Sequence, residues 1–389
     1  MTVDAGQADA TSLRIAIANP TGGGMSSGYV KYLIGIVPEL ICHPDVAAVR
    51  VFVAPALKKP LRPDLPLEAI DRDEWPRHIA RFGADVLFVP TARTVRCPGI
   101  PQVTMMRNME PVTVPFTGHT VIEGVRNVAR AAVALRACRS ADRVIAVSNF
   151  VARFLRDRWR ISEASIAIVP HGVEPPLPAE GWMRPAGIAT EDVPFLFAAG
   201  SIRPARGLSS LLDAFGRLAP RFPDLRLVIA GEATQATRHL AERLRAQAEA
   251  LGVAGRVAWV GPLPPREMAW CYGRTSAFVM TSRAEACPNV ALEAMSYGCP
   301  CVSVRRDPMP EFFGDAAVYV ARDDDGESLS DAVGLVLETP ERAALLRRHA
   351  ISRASPFTWS TTARRTVEEL QRAASRGVRS RTRVPSATA

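Results

Sequence analysis

Two glutamates with seven residues between them, Glu285 and Glu293, stand in a segment whose residue types suit a phosphorylated, hydroxyl-rich ligand. A strand is expected to end near Met280, and a loop then carries Glu285. Pro288 is expected at the first helical position, because its fixed φ and missing N–H suit that place, giving a helix over about residues 288–297. Gly298 followed by Pro300 reads as its stop. The early N–H groups around Asn289, Val290 and Ala291 then lack helical partners, and such a helix start accepts an anion, a diphosphate being a natural guest. Carboxylates repel phosphate, so the glutamates fit hydroxyl groups better, as on a sugar and a ribose either side of a diphosphate. On spacing alone, a loop acid plus a helix-capping acid accounts for the pair equally well.

A second junction, Ala199–Gly207, places Ser201, Arg203 and Arg206 between a strand and a helix over residues 208–218. A cation about 4 Å from a phosphate is worth roughly 4 kcal/mol at an effective dielectric near 20. Arg203 or Arg206 can therefore balance a diphosphate that the two glutamates cannot. A solvated turn is the plain alternative in so arginine-rich a chain. The third segment, Thr21–Gly28, lets backbone approach a ligand. As a dinucleotide fingerprint it fails, because the glycine spacing is wrong and the second strand ends without an acid for a ribose.

The elements that must position these residues alternate short apolar runs with amphipathic stretches, the pattern of βαβ units and parallel sheets. Strands are expected at residues 13–18, 49–53, 85–89, 102–106, 143–147 and 166–169, with helices over about 26–40 and 119–138. Proline and glycine then interrupt the rhythm, and residues 178–193 read as a linker. Further strands are expected at 195–198, 225–230, 256–260, 277–280 and 301–304. The chain thus reads as an α/β protein of two doubly wound, Rossmann-like domains facing across a cleft, 1–177 and 194–356, with a terminal helix at 357–375 and a disordered tail at 376–389. Ligands of such sheets bind beyond the carboxyl ends of the strands.

Composition agrees. The 389 residues, 48% hydrophobic and 22% charged, exclude a disordered or fibrous chain. No run approaches the roughly 18 apolar residues of a membrane-spanning helix. The polar opening MTVDAGQADATS lacks the layout of a signal peptide, so a cytoplasmic protein is expected. Seven cysteines without an export signal suggest reduced thiols. The six scattered histidines and the wrongly spaced Cys299 and Cys301 suggest no metal site. Net charge is +9, nearly all of the positive charge being arginine, and nine arginines fall between Arg126 and Arg160. That stretch suits anionic lipid headgroups or a phosphorylated acceptor, with a solvated helix face as the alternative. Nucleic acid is not expected, since no zinc-finger spacing or aromatic-basic motif is present.

Together these residues resemble the retaining glycosyltransferases of the GT-B fold, family 4 type, from about Leu13 to Leu370. Glu285 and Glu293 match the family's paired-glutamate motif, and EACPNVALEAMSYGCP (285–300) reads like its loop and helix. Gly200–Gly207 looks like the phosphate-binding loop, with Arg206 where lysine is usual, a planar fork in place of a point charge. Pro308–Glu311, Gly314–Ala317, Pro170–Val173 and Phe357–Ser360 resemble further family stretches, the last opening a helix that crosses back to the first domain. The resemblance implies transfer of a sugar from a nucleoside diphosphate to an acceptor hydroxyl, with anomeric configuration kept and no metal or other cofactor, the nucleotide sugar being a co-substrate. Glu285 is then expected at the donor sugar's hydroxyls and Glu293 at the ribose. Arg206, with Arg203 or Ser201, is expected at the departing diphosphate, Gly23 and Gly24 at the donor phosphates, and Gly261 to Leu263 beside the base. Pro288, Asn289 and Val290 open the anion-binding turn. Where many relatives carry His-Asp, this chain has Arg107 and Asn108, on the acceptor side, with His119 as a candidate substitute for the histidine.

The expected partners are a nucleotide-sugar donor and a saccharide, lipid-linked or small-molecule acceptor, with peripheral membrane contact through the basic segment. An epimerase or hydrolase on the same scaffold, or a nucleotide-sugar-binding protein without turnover, are the competing readings.

Overall fold

The computed structural model describes residues 12–20, 27–55, 65–117, 121–188, 193–320 and 326–381, with side chains for all of these except 27 and 376–381. Gly23, Gly24 and His119 lie outside the described residues. In chain order the first half runs β1 (Leu13–Ala18), α1 (Ser27–Ile41), β2 (Val46–Val53), β3 (Leu67–Ala69), α2 (Trp75–Phe82), β4 (Val86–Val89), β5 (Gln102–Met106), α3 (Glu110–Thr113), α4 (Val121–Ser140), β6 (Arg143–Ala146), α5 (Asn149–Asp157) and β7 (Ile166–Ile168). The second half runs β8 (Phe195–Ala199), α6 (Leu208–Leu218), β9 (Arg226–Ala230), α7 (Arg238–Ala250), β10 (Val257–Gly261), α8 (Pro265–Arg274), β11 (Ala277–Met280), α9 (Asn289–Ser296), β12 (Cys301–Val304), α10 (Met309–Phe313), β13 (Ala317–Val320), α11 (Gly326–Glu338), α12 (Pro340–Ala354) and α13 (Trp359–Arg381).

The strands form two parallel sheets, in the orders β3-β2-β1-β4-β5-β6-β7 and β10-β9-β8-β11-β12-β13. Parallel strands covered on both faces need unbroken apolar runs, and β4 and β11 are buried at every position. The order reverses between β1 and β4 in one sheet and between β8 and β11 in the other. A crevice opens at each reversal, at the carboxyl ends of the strands. The Gly200–Gly207 loop follows β8 and Glu285 follows β11, so topology brings both segments to the same crevice.

Residues 178–188, within the expected linker, are held against α8: Met183 N–H donates to the Arg266 carbonyl at 3.1 Å, and Arg266 Nε donates to the Gly181 carbonyl at 2.7 Å. Trp182 also lies over Gly273, where a Cβ would fall 2.1 Å from its ring. The last helix continues to Arg381 instead of giving way to a disordered tail at 376; no proline or glycine pair interrupts it there.

α13 returns to the first domain. Its Trp359 ring meets Tyr32 of α1 edge-on at 5.7 Å, and Thr362 Oγ1 donates to the Pro170 carbonyl at 2.9 Å. A buried ion pair, Arg143–Glu369, ties it to β6. Gly172 admits the close approach, since a Cβ there would sit 2.4 Å from the Trp359 nitrogen. The two chain crossings between domains run side by side, with Val173 N–H donating to the Phe357 carbonyl at 2.9 Å. Glu311 of α10 adds a further tie by accepting the Asn149 and Phe150 N–H groups, at 2.6 and 3.0 Å, at the start of α5. A carboxylate at a helix N-terminus satisfies orphan donors and opposes the helix dipole.

Candidate active site

A cleft of about 400 Å³ lies between the domains. Gly200, Ser201, Arg203, Arg206, Glu285, Pro288, Asn289 and Val290 line it from the second domain, and Gly28, Lys31, Arg107, Asn108 and Glu110 from the first. Nine of the predicted site residues, Ser201, Arg203, Arg206, Glu285, Pro288, Asn289, Val290, Arg107 and Asn108, thus share one space. Gly261 does not line it. Its neighbours Pro262 and Leu263 do, while Gly261 borders an adjoining hollow with Trp259 and accepts the Gly231 N–H at 2.7 Å. Glu293 is reached through its charge partners.

The phosphate-loop geometry depends on Gly207. Its φ of +64° is left-handed, and a Cβ would meet the Thr281 carbonyl oxygen at 2.3 Å. The loop therefore lies directly on the end of β11. Thr281 Oγ1 donates to the Arg206 carbonyl at 2.8 Å, and the Arg206 guanidinium forms an ion pair with Glu285 while donating to Ser282 Oγ at 3.2 Å. Arg206 and Glu285, expected on opposite sides of a ligand, meet directly.

Pro288 caps α9 instead of occupying its first turn, and the helix begins at Asn289. Its φ of −79° with ψ of 90° is extended, and its carbonyl accepts the Ala291 and Leu292 N–H groups at 2.9 and 3.1 Å. Ala291 is therefore not an open donor, contrary to expectation. The N–H groups of Asn289 and Val290 have no partner among the described residues and face the cleft as the anion-binding turn requires.

Behind that turn sits His171, 2% exposed. Its Nδ1 lies 2.8 Å from Asn289 Oδ1 and its ring packs 5.0 Å from Tyr32. Burial, and then the nearby Arg107 charge, pull the imidazole pKa down to about 3, so it is neutral and donates through Nδ1 to the amide. It thereby fixes which way the Asn289 side chain points.

The first domain contributes charges that the sequence motifs did not predict. Lys31 Nζ lies 2.6 Å from Glu293 Oε1, and Tyr272 Oη donates to Glu293 Oε2 at 3.0 Å. Arg203 forms an ion pair with Glu110, whose side chain is buried at the start of α3. Lys31 had one sequence signal, as one of only three lysines among 48 basic residues; Glu110 had only its position beside Arg107 and Asn108.

Arg107 lies deep in the wall, donating to the Gly28 carbonyl at 2.8 Å and stacking 5.2 Å from the Tyr32 ring. Burial depresses its pKa from the usual arginine range. Asn108 is exposed, and its Oδ1 accepts the Glu110 N–H at 3.1 Å. Both residues also line a second pocket, of about 300 Å³, inside the first domain with Asn19, Thr91, Arg93 and Arg130. Burial and the Arg130 charge hold the Arg93 pKa below its ordinary value, so the pocket carries concentrated positive charge.

Two facing α/β domains with a charged cleft at the second domain's switch point form the kind of crevice in which doubly wound sheets bind ligands. Comparisons with known proteins place the chain more narrowly. The Glycosyltransferase Family 4 model matches residues 36–176, and the Glycosyl transferases group 1 model matches residues 183–353. The chain belongs to the GT-B glycosyltransferases of the family 4 type. It is 29% identical to the D-inositol 3-phosphate glycosyltransferase of Acidothermus cellulolyticus over 76% of this chain and 72% of that one. With the enzyme of the same name from Corynebacterium jeikeium it shares 27% identity over 81% and 82%. Among solved structures, HepE of Anabaena in complex with UDP superposes with a TM-score of 0.73 at 18% identity, covering 92% of this chain and 100% of that one. At that identity the likeness shows the fold. The protein is a glycosyltransferase.

Proposed function

We propose that the protein is a retaining, metal-independent glycosyltransferase that takes a sugar from a nucleoside-diphosphate donor held in the second domain. One observation carries this: Arg206, Glu285, Ser201 and the open Asn289 and Val290 N–H groups converge on the crevice at the β8–β11 reversal. The diphosphate fits the start of α9, with Arg206 and Arg203 taking the charge that grows as it departs, the kind of interaction that often dominates catalysis. Those guanidiniums supply the cationic role without a metal. Glu285 takes the donor sugar's hydroxyls and Glu293 the ribose; Gly23 and Gly24 are assigned to the donor phosphates by family pattern.

In the step, the bond from the anomeric carbon to the leaving phosphate oxygen breaks. The acceptor oxygen bonds that carbon on the same face, and its proton passes to the leaving phosphate. No separate protein base is required. The arginine pocket of the first domain favours an acceptor bearing an anionic group beside its reacting hydroxyl, and relatives named D-inositol 3-phosphate glycosyltransferases support that choice. Transfer is placed at the cytoplasmic face of a membrane, with peripheral attachment through the basic Arg126–Arg160 segment, in building a surface polysaccharide, glycolipid or glycosylated metabolite.

A thermal-shift screen of nucleotide sugars, followed by product analysis, tests the reading, since a ligand of the folded state raises its stability. Wild-type rates in both Glu285→Gln and Arg206→Ala would overturn the site. Free sugar or an epimer formed without acceptor would favour the hydrolase or epimerase alternative, and tight donor binding without turnover a binding protein.

A further inference from the structure

α4 turns an apolar face to water. Val121, Ile122, Val125, Val128 and Val133 are 76, 68, 58, 50 and 48% exposed. At about 100° per residue they occupy one side of the helix, over an arc of about 140° and a length of about 18 Å. The opposite side is the buried one, with Gly124, Asn127, Ala134, Ala137 and Cys138. Phe116, half exposed, packs on the helix at Gly124, where a Cβ would approach its ring to 2.1 Å. A helix on a soluble domain ordinarily shows charge to solvent and hides such a stripe. A contiguous exposed apolar patch with a charged rim marks an interaction surface.

The rim is basic. Arg126, Arg130, Arg136 and Arg139 are exposed on the same helix. Its single acid, Glu123, is taken up by Arg126 at 3.4 Å and Arg130 at 2.5 Å. Arg139 donates to the Trp159 carbonyl at 3.3 Å, which joins the rim to the exposed Arg158 and Arg160, while Arg153 and Arg156 beside them pair with Asp307 and Asp157.

We propose that the outward face of α4 is a docking surface for an anionic lipid bilayer, its valines and isoleucine entering the headgroup–acyl boundary with the arginines at phosphate level. Apolar insertion plus basic flanks is the combination that holds a helix in that plane. A second copy of this chain is the poorer occupant, since it would bring the arginine rim against its own like charge. The inference rests on the peripheral attachment read above and names the surface that makes it. It also narrows the acceptor. Arg130, Ala131 and Ala134 of α4 line the arginine pocket, so docking brings one wall of that pocket to the headgroup layer, where an anionic acceptor anchored in the bilayer is within reach.

The test is sedimentation of the full chain with phosphatidylcholine vesicles, with and without phosphatidylglycerol, at low salt and at about 1 M salt, where screening reaches about 3 Å. Wild type is expected to bind the anionic vesicles and to retain part of that binding at high salt. Val125→Glu/Val128→Glu, on exposed positions, is expected to lose at least about tenfold in vesicle affinity at unchanged melting temperature. Should that variant melt early, Ile122→Ser/Val125→Ser carries the same comparison. A double variant that binds like wild type overturns the apolar surface and leaves arginine-driven attachment standing. Wild type that binds no vesicle at low salt overturns both. Dimerisation that the double variant abolishes, without vesicle binding, assigns the face to a second copy and overturns the proposal.

Discussion

Lys31 and Glu293 meet across the interdomain cleft, Nζ to Oε1 at 2.6 Å, joining the first helix of one domain to the site helix of the other. The pair is one of two ion pairs, among the described residues, that join the first domain to the second across the cleft, Glu110 with Arg203 being the other. Glu293 has its second oxygen occupied by Tyr272, so the carboxylate is neutralised and oriented before any ligand arrives. Removing the lysine leaves an unbalanced acid beside the place proposed for a diphosphate. At an effective dielectric of 20, a charge about 10 Å away is worth about 1.7 kcal/mol. Lys31→Met is therefore expected to weaken nucleotide-sugar binding by about tenfold, with less effect at high salt. Calorimetric titration measures this, and unchanged affinity would remove Lys31 from the site.

Arg206 and Glu285 predict a graded series. Arg206→Ala removes the cation from the leaving group and is expected to lower kcat by about 10²–10³-fold, the usual cost of deleting one charge-stabilising donor. Arg206→Lys keeps the charge without the fork that engages both Glu285 and Ser282, so its kcat should fall between. Equal rates for the lysine and alanine variants would show that the charge itself does nothing.

The Arg203–Glu110 ion pair predicts energetic coupling between the domains. Glu110 is buried and Arg203 is 44% exposed, so the pair lies between the weak surface case and the costly buried one. A double-mutant cycle with Arg203→Ala and Glu110→Gln is expected to give a coupling of about 1 kcal/mol in urea unfolding. Additive effects would mean that the contact contributes nothing in solution.

His171 sets a pH dependence. Its ordinary value of 6.5 falls to about 3 in the fold, so the unfolded chain binds a proton that the native one refuses. The depressed group contributes stability above about pH 6.5 that is lost progressively as pH falls toward 3, at about 1.4 kcal/mol per pH unit. His171→Gln keeps a donor for Asn289 but does not titrate, and its stability relative to wild type should rise as pH is lowered through this window. Parallel curves for the two proteins would contradict the buried neutral imidazole.

Much of the fold was legible because parallel strands covered on both faces must be continuous apolar runs, as β4 and β11 are. β3 was missed: three residues, half-buried at most, depend on pairing with β2 to be a strand at all. β13 was missed because Ala317–Val320 reads as the end of a motif until β12 lies beside it. Within the site, Glu285 and Arg206 could be found because each sits at a strand-to-helix junction with its own local signature. Lys31 and Glu110 could not, since which acid or base they face is decided by how the domains close. Pro288 was placed one position too deep because proline suits both the cap and the first turn, and only its ψ tells them apart.

The paired chain crossings at Val173 and Phe357 are bonded backbone to backbone. Two backbone segments bonded to each other make a seam, and Glu311 on the Asn149 and Phe150 N–H groups ties the domains at a further place. Separating the domains means breaking both Lys31–Glu293 and Arg203–Glu110. The backbone seam alone therefore does not set how firmly the two domains hold together; these two ion pairs across the cleft share that role.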